Sequence, residues 1–429
     1  MKISISGIRG VYGTDFFPHD VIRFCDGFSK LIKNGKCVIG RDTRTTGEMI
    51  EKLVSATLLE KGIDVQILGV TPTPVVFRKA RELGAGIVIT SSHNPLEWNG
   101  LKFIIEGRGI TEKELEVVKN ERNSNRPKLG KESVGITNYV SDAVEVIGKL
   151  EQEKYVTVDI GGGSAKYVAP ELLKEIGCQV TTINDELGTC TRGPDPTTDE
   201  LTELINKTKQ VGFAFDLDSD RMILVMNGKK KSSDITLGLG VVKAIKLGIK
   251  KFVLSLDSSI AVEKYITNHG GKVWRSKVGE ANVIQKMIEN DAEAGGEGSS
   301  GGFILKKFNM CRDGLLTSGL IASMIGDETI QDDIEFFESF SQIRDKISVE
   351  SNLHDRLISE IAERIGTKYE INQLDGIKIE INENTWSLIR KSNTEDIIRI
   401  STESNDKQLL EKVQKEMIEI VNDCHEQIK

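Results

Sequence analysis

No stretch of this 429-residue chain approaches the roughly 18 consecutive apolar residues that a bilayer-spanning helix requires. The first residues, MKISISGIRGVYG, also lack the apolar segment of a secretory leader, so a soluble, cytoplasmic protein is expected. Cysteine is sparse and scattered. Cys25, Cys37, Cys178, Cys190, Cys311 and Cys424 form no C-x-x-C pair, which argues against both a disulfide framework and a thiolate zinc site. Positive charge is not in excess either. With 57 Lys and Arg against 65 Asp and Glu the net charge is −8, which leaves no diffuse positive field for nucleic acid and confines anion binding to local sites.

What the chain does contain is one α/β grammar, repeated. GKCVIGRDTR, GEMIEKLVSATLLEKG and IDVQILG read as a strand, a helix with one apolar face closed by Gly62, and a second strand, the βαβ unit of a parallel sheet. The same order returns over residues 155–183 and 250–277. Each unit is followed by a short strand, a polar loop and a return strand: GAGIVITSSHNPLEWNGLKFI (84–104), VGFAFDLDSDRMILV (211–225) and AEAGGEGSSGGFILKKF (292–308). Residues 121–135 are polar and read as a linker. The last ninety or so residues alternate helices and strands differently. The expected architecture is three related α/β mixed-sheet domains (1–130, 136–230, 231–340) and a smaller α+β domain (341–429) around a central cleft.

The loops carry the chemistry. Asp216, Asp218 and Asp220 alternate after an apolar strand, and three carboxylates that close repel strongly unless a cation lies among them. An EF-hand is excluded, because Arg221 stands where its glycine must be and Asn227 where its closing glutamate belongs. Three carboxylates with room for phosphate oxygens suit Mg²⁺. Ser92 lies in TSSHNP, where a turn serine satisfying local backbone is the ordinary reading. Its loop, however, sits at the strand end equivalent to that of the aspartates, and a serine facing a divalent cation can carry a phosphoryl group. Glu297 and Ser299, set among glycines, offer a carboxylate and a hydroxyl to a sugar. In RKSNTEDIIR, Arg390, Ser392, Asn393, Thr394 and Arg399 concentrate the equipment of a phosphate clamp.

Together TSSHNP, DLDSDR, GEGSS and RKSNTED resemble, in order, the phosphoserine, metal, sugar and phosphate loops of the α-D-phosphohexomutase family. SGIRG, GRDTR, NGLKF and SKVGEANV are similar to further family segments, so the resemblance runs the length of the chain. It implies a phosphorylated Ser92 and Mg²⁺ held by Ser92, Asp216, Asp218 and Asp220. It further implies sugar selection by Glu297 and Ser299, and a substrate phosphate held by Arg390, Ser392, Asn393, Thr394 and Arg399. Lys102 matches a family lysine that acts as acid or base, with Arg9, His93 and Arg221 beside the transferred group. Arg9 and Arg221 are expected to lower the pKa of Lys102.

The implied reaction moves phosphate between O6 and O1 of a hexose through a hexose 1,6-bisphosphate, in a monomer or homodimer that binds neither nucleic acid nor membrane. Where the sugar loop usually ends in histidine, this chain has Ser300, Gly301 and Gly302, which resembles archaeal-type phosphoglucosamine mutases and favours glucosamine phosphate. The alternatives are a phosphomannomutase or phosphoglucomutase of the same family, a phosphosugar hydrolase, and a non-catalytic sugar-phosphate binding protein.

Overall fold

The computed structural model describes residues 1–120, 128–392 and 396–428. Four sheets carry the chain, and the first three share one core of four strands. In the first, Lys36–Arg41 lies between Asp64–Val70 and Ala85–Ile89, all parallel, and Trp98–Ile105 returns antiparallel beside Ala85–Ile89. The second repeats this order with Cys178–Ile183, Lys154–Asp159, Val211–Phe215 and Met222–Met226. The third does so with Lys272–Ser276, Lys251–Ser255, Ala294–Glu297 and Gly302–Leu305. The repeat read from hydrophobic patterning is thus a repeat of topology. The serine, aspartate and sugar loops are the same hairpin turn in three sheets.

The apolar runs become strands because both sheet faces are covered. Ala85–Ile89, Val211–Phe215 and Met222–Met226 are buried at every position, as the strands of a helix-covered sheet should be. The second and third sheets share one continuous core, with Val158, Phe213, Leu237, Phe252, Phe303 and Leu320 among its members. The first sheet packs its own, around Ile39, Val54, Ile87 and Leu101. A five-stranded antiparallel sheet, ordered Ser341–Ser348, Ile397–Ser404, Thr385–Lys391, Ile377–Asn382, Ile371–Asn372, closes the chain. Helices His354–Gly366 and Lys407–Ile428 cover it through Leu357, Ile361, Val413 and Met417. No helix among the described residues is long and apolar enough to cross a membrane.

Two segments depart from the sequence reading. The linker contains a strand, Glu132–Val134, that pairs with Asp64–Val70 at the edge of the first sheet. Ser341–Ser348 forms an edge strand that hydrophobic patterning did not reveal, because most of it is exposed or half-buried.

The fourth sheet docks on the third through a small apolar cluster of Leu256, Trp386 and Leu388. Glu403 accepts from Trp386 Nε1 and from the backbone N–H of Ile260, at the start of helix Ile260–Asn268. Lys378 is buried in the same joint, its Nζ over the Trp386 ring and donating to the Leu256 carbonyl at 3.1 Å. Burial, reinforced by Arg275, lowers its pKa to about 7. In an unfolded chain the lysine keeps its proton up to about pH 10.4. Between these values unfolding takes up a proton, so the folded state gains stability as pH rises and bears the full penalty below about pH 7. Lys378→Met is therefore expected to stabilise the protein more at about pH 6.5 than at about pH 9.5, by a difference on the order of a few kcal/mol. Denaturant unfolding of both proteins at both pH values checks this; an equal effect at the two would contradict it.

Candidate active site

Ser92 is not an ordinary loop serine. Its backbone is left-handed (φ 52°), a conformation that costs a non-glycine residue strain, and it is 1% exposed. The Ser92 N–H donates to Thr90 Oγ1 at 2.8 Å, and its hydroxyl donates to Asp216 Oδ2 at 2.9 Å. The turn is held from below by Arg44, itself 2% exposed. Arg44 Nη2 donates to the carbonyls of Ser92 and Asn94, both at 2.7 Å, and Nη1 to those of Pro95 and Trp98. Its Nε donates to Asp42 Oδ2 at 3.0 Å, an oxygen that also accepts from Thr90 Oγ1.

The three aspartates occupy the equivalent turn of the second sheet, each at most 1% exposed, with carboxylate oxygens within 4.8 Å of one another. Asp216 Oδ1 accepts the backbone N–H of Arg221 at 3.2 Å. Asp218 Oδ2 accepts from Thr73 Oγ1 and from Lys102 Nζ, both at 2.7 Å. Asp220 Oδ2 accepts from Lys102 Nζ at 2.8 Å and from Arg312 Nη2 at 2.9 Å. The other oxygens of these two, Asp218 Oδ1 and Asp220 Oδ1, are buried without a hydrogen-bond partner. Orphaned carboxylate oxygens in a closed cluster are what a hard divalent cation requires, so the residues fit Mg²⁺.

The electrostatics divide the cluster. Burial and the two neighbouring carboxylates push Asp216 well above the usual carboxylate range. Burial acts in the same direction on Asp220, but Arg312, Lys102 and Arg221 overcome it and hold Asp220 below that range. His93 is driven well below the usual histidine range by burial, then by Arg221 and Arg9, so it is neutral; its Nδ1 lies 3.4 Å from Ser92 Oγ. For Lys102 the sequence expectation is overturned. Burial and Arg9 do lower its pKa, yet Asp218 and Asp220 raise it more, and the ammonium is held above its ordinary value. Arg9 feels the same charges, Asp218 and Asp220 among them, and Arg221 Nη1 reaches Asp195 at 3.4 Å.

The remaining residues form a second group. Glu297 Oε2 accepts from Arg312 Nη1 at 2.8 Å, which joins the sugar loop to the aspartates. Buried Asp257 is held below the usual carboxylate range despite its burial, by the charge of Arg390 foremost, then by Ser255, whose hydroxyl donates to Oδ1 at 2.6 Å, with Arg344 and Ser299 contributing less. Arg390 is the register partner of Arg399, and Arg399 of Lys346, so three cations stand side by side on three neighbouring strands. Like charges directly opposed destabilise a sheet, and an anion lying over the row reverses the sign. The Ser392 N–H, in the following turn, donates to the Ile397 carbonyl at 3.0 Å. Asn393 and Thr394 lie outside the described residues.

Sequence reasoning gave no role to Asp42, Arg44, Thr73, Asp257, Glu280 or Arg312. GRDTR and SKVGEANV drew attention to the first two and to Glu280, but nothing local marks Thr73, Asp257 or Arg312.

Four profiles match in order. Phosphoglucomutase/phosphomannomutase alpha/beta/alpha domain I matches residues 1–128, domain II 137–229, domain III 234–340, and the C-terminal domain 349–420. A probable phosphoglucosamine mutase of Methanosphaera stadtmanae is 34% identical, with 97% of each chain covered. A phosphoglucosamine mutase of Methanococcus maripaludis is 32% identical, with 98% of each covered. Among solved structures, a phosphoglucomutase/phosphomannomutase family protein from Burkholderia thailandensis superimposes with a TM-score of 0.83 at 22% identity, covering 98% of both chains, a likeness of fold.

Arg44→Ala is expected to cost about 3–5 kcal/mol, because it leaves Asp42 buried without its cation and four carbonyls without a donor. Arg44→Lys should recover only part, since one ammonium cannot serve the same fork. Chemical denaturation checks both, and a wild-type midpoint for Arg44→Ala would contradict the assignment.

Proposed function

The chain belongs to the α-D-phosphohexomutase family, whose members act on phosphosugars, and from that premise we propose that it interconverts glucosamine 6-phosphate and glucosamine 1-phosphate. The observation that carries the reading is the Ser92 hydroxyl, held in a strained turn 2.9 Å from Asp216 beside carboxylate oxygens that lack hydrogen-bond partners. The glucosamine assignment rests on the glycine-rich sugar loop and on relatives named phosphoglucosamine mutase that align over nearly the whole chain.

In this reading Ser92 carries the phosphoryl group, and Ser92, Asp216, Asp218 and Asp220 hold Mg²⁺. Bound there, the ion would neutralise charge on the transferring phosphoryl oxygens. Glu297 and Ser299 contact the hexose hydroxyls. Arg390 and Arg399, with Ser392, Asn393 and Thr394, hold the phosphate at the substrate's far end. The attacking hydroxyl must lose a proton as the phosphoryl group moves, and His93, whose Nδ1 lies 3.4 Å from Ser92 Oγ, stands beside the transferred group. Lys102, ion-paired as an ammonium, is suited to stabilise charge or donate rather than to accept. A bisphosphate forms when Ser92 gives up its group, turns in the cleft, and returns its other phosphate to Ser92. Each of the four domains, divided as 1–130, 136–230, 231–340 and 341–429, contributes one loop.

Incubation with glucosamine 6-phosphate, Mg²⁺ and a trace of hexose 1,6-bisphosphate is expected to yield the 1-phosphate with little inorganic phosphate. Higher kcat/KM on mannose or glucose phosphate would transfer the assignment to those sugars, and stoichiometric phosphate release would indicate a hydrolase. Ser92→Ala should reduce turnover by at least about 10³-fold, the loss that follows removal of a nucleophile; near-wild-type turnover would overturn the reading. Asp218→Asn should shift the Mg²⁺ activation curve to higher concentration, and an unchanged curve would exclude Asp218 as a ligand.

A further inference from the structure

We propose that Arg312 is a positioning residue that holds the sugar loop and the metal loop in a single register, a role that rests on the mutase reading above. Arg312 is 7% exposed and spends its guanidinium on carboxylates from three separate segments. Nη1 donates to Glu297 Oε2 at 2.8 Å and to Ser300 Oγ at 3.2 Å. Nη2 donates to Asp220 Oδ2 at 2.9 Å, and Nε to Glu280 Oε2 at 3.2 Å. In the sugar loop and the metal loop alike the guanidinium engages one carboxylate oxygen and leaves the other. Asp220 Oδ1 is buried without a hydrogen-bond partner, with Arg221 Nε 4.0 Å away, and Glu297 Oε1 takes part in no hydrogen bond among the described residues. Arg312, together with Ser300 at Glu297 Oε2 and Lys102 at Asp220 Oδ2, thus sets which oxygen of Glu297 is left for a hexose hydroxyl and which oxygen of Asp220 is left for a cation, and among the described residues it alone reaches both.

The surroundings are shaped to hold it. A Cβ at Gly302 would lie 2.2 Å from Arg312 Cδ and 2.6 Å from Cγ, so glycine at 302 is what lets the arginine stem pass. The sugar loop's glycine-rich ending is accounted for at that position by the arginine beneath it. The next residue fixes the main chain: Asp313 Oδ1 accepts from Tyr139 Oη at 2.5 Å and from the Leu316 N–H at 2.9 Å, and Oδ2 accepts from Asn309 at 2.8 Å. A lysine would keep the charge but not the fork, and a single ammonium cannot address Glu297, Asp220 and Glu280 together.

The coupling is readable without turnover, by Mn²⁺ binding followed by electron paramagnetic resonance on sugar-free protein. Arg312→Lys is expected to weaken Mn²⁺ binding by about 10-fold or more and to raise KM for glucosamine 6-phosphate by a similar factor, with a smaller change in kcat. Glu297→Gln, nearly isosteric and outside the metal cluster, should weaken Mn²⁺ binding roughly 3- to 10-fold, because Arg312 loses the anchor on its other side. Gly302→Ala displaces the stem without changing charge and should reproduce the Arg312→Lys defect. Wild-type Mn²⁺ affinity in Glu297→Gln would overturn the proposal, whether or not the Arg312 variant folds. Failure of the wild-type enzyme to turn over glucosamine 6-phosphate would instead overturn the substrate assignment, and the Mn²⁺ measurement, made without sugar, would still stand.

Discussion

Three carboxylates buried within one turn are the constraint on which this structure depends. Asp216, Asp218 and Asp220 are all but inaccessible to water, and charges that close in a low-dielectric interior are costly unless cations and donors surround them. No single domain supplies those partners. Lys102 comes from the first sheet, Arg312 from the segment after the third sheet's last strand, and Thr73 from the first turn of a helix in the N-terminal domain. The electrostatics of one loop therefore fix the mutual register of three domains. Thr73 reinforces this by donating its backbone N–H to the Asp218 carbonyl at 2.8 Å.

The same constraint explains which parts of the site could be read from sequence. Repeated apolar strands made the hairpin turns equivalent, and with that came the expectation that Ser92 and the aspartates share a cleft; in the structure the Ser92 hydroxyl lies 2.9 Å from Asp216. Arg44 and Arg312 escaped, because their partners lie 48 and 92 positions away for the contacts with Ser92 and Asp220, and no periodicity records such pairings. The Lys102 reading failed for a related reason. Two cations near in function were weighed, while the carboxylates at 2.7 and 2.8 Å, from another domain, decide its protonation. The edge strand Glu132–Val134 is exposed throughout and held by backbone pairing and by polar side-chain contacts, Ser55 to Glu132 and Ser133 to the Val65 carbonyl, so it leaves no hydrophobic signature.

The fourth sheet stands apart from the aspartates and meets the third domain at Asp257, whose backbone carbonyl accepts from Gln342 Nε2 at 3.3 Å and whose carboxylate feels the charge of Arg390. In the proposed reaction this arrangement gives the cleft two anion-binding ends, the serine with its cation cage and the row of Lys346, Arg399 and Arg390, with the hexose loop between them. A bisphosphate carries one negative group for each end. In that reaction, turning it about would exchange the two without altering the complementarity, which would let one site serve both half-reactions.

The most direct test of the account is to follow where a phosphoryl group goes. The purified protein would be incubated with hexose 1,6-bisphosphate labelled with ³²P at both phosphates, digested, and the labelled peptide mapped by mass spectrometry. The account predicts a single labelled residue, Ser92, whose label is lost to unlabelled hexose phosphate. Stable labelling at another residue, or none at all in protein that turns over hexose phosphate, would contradict it.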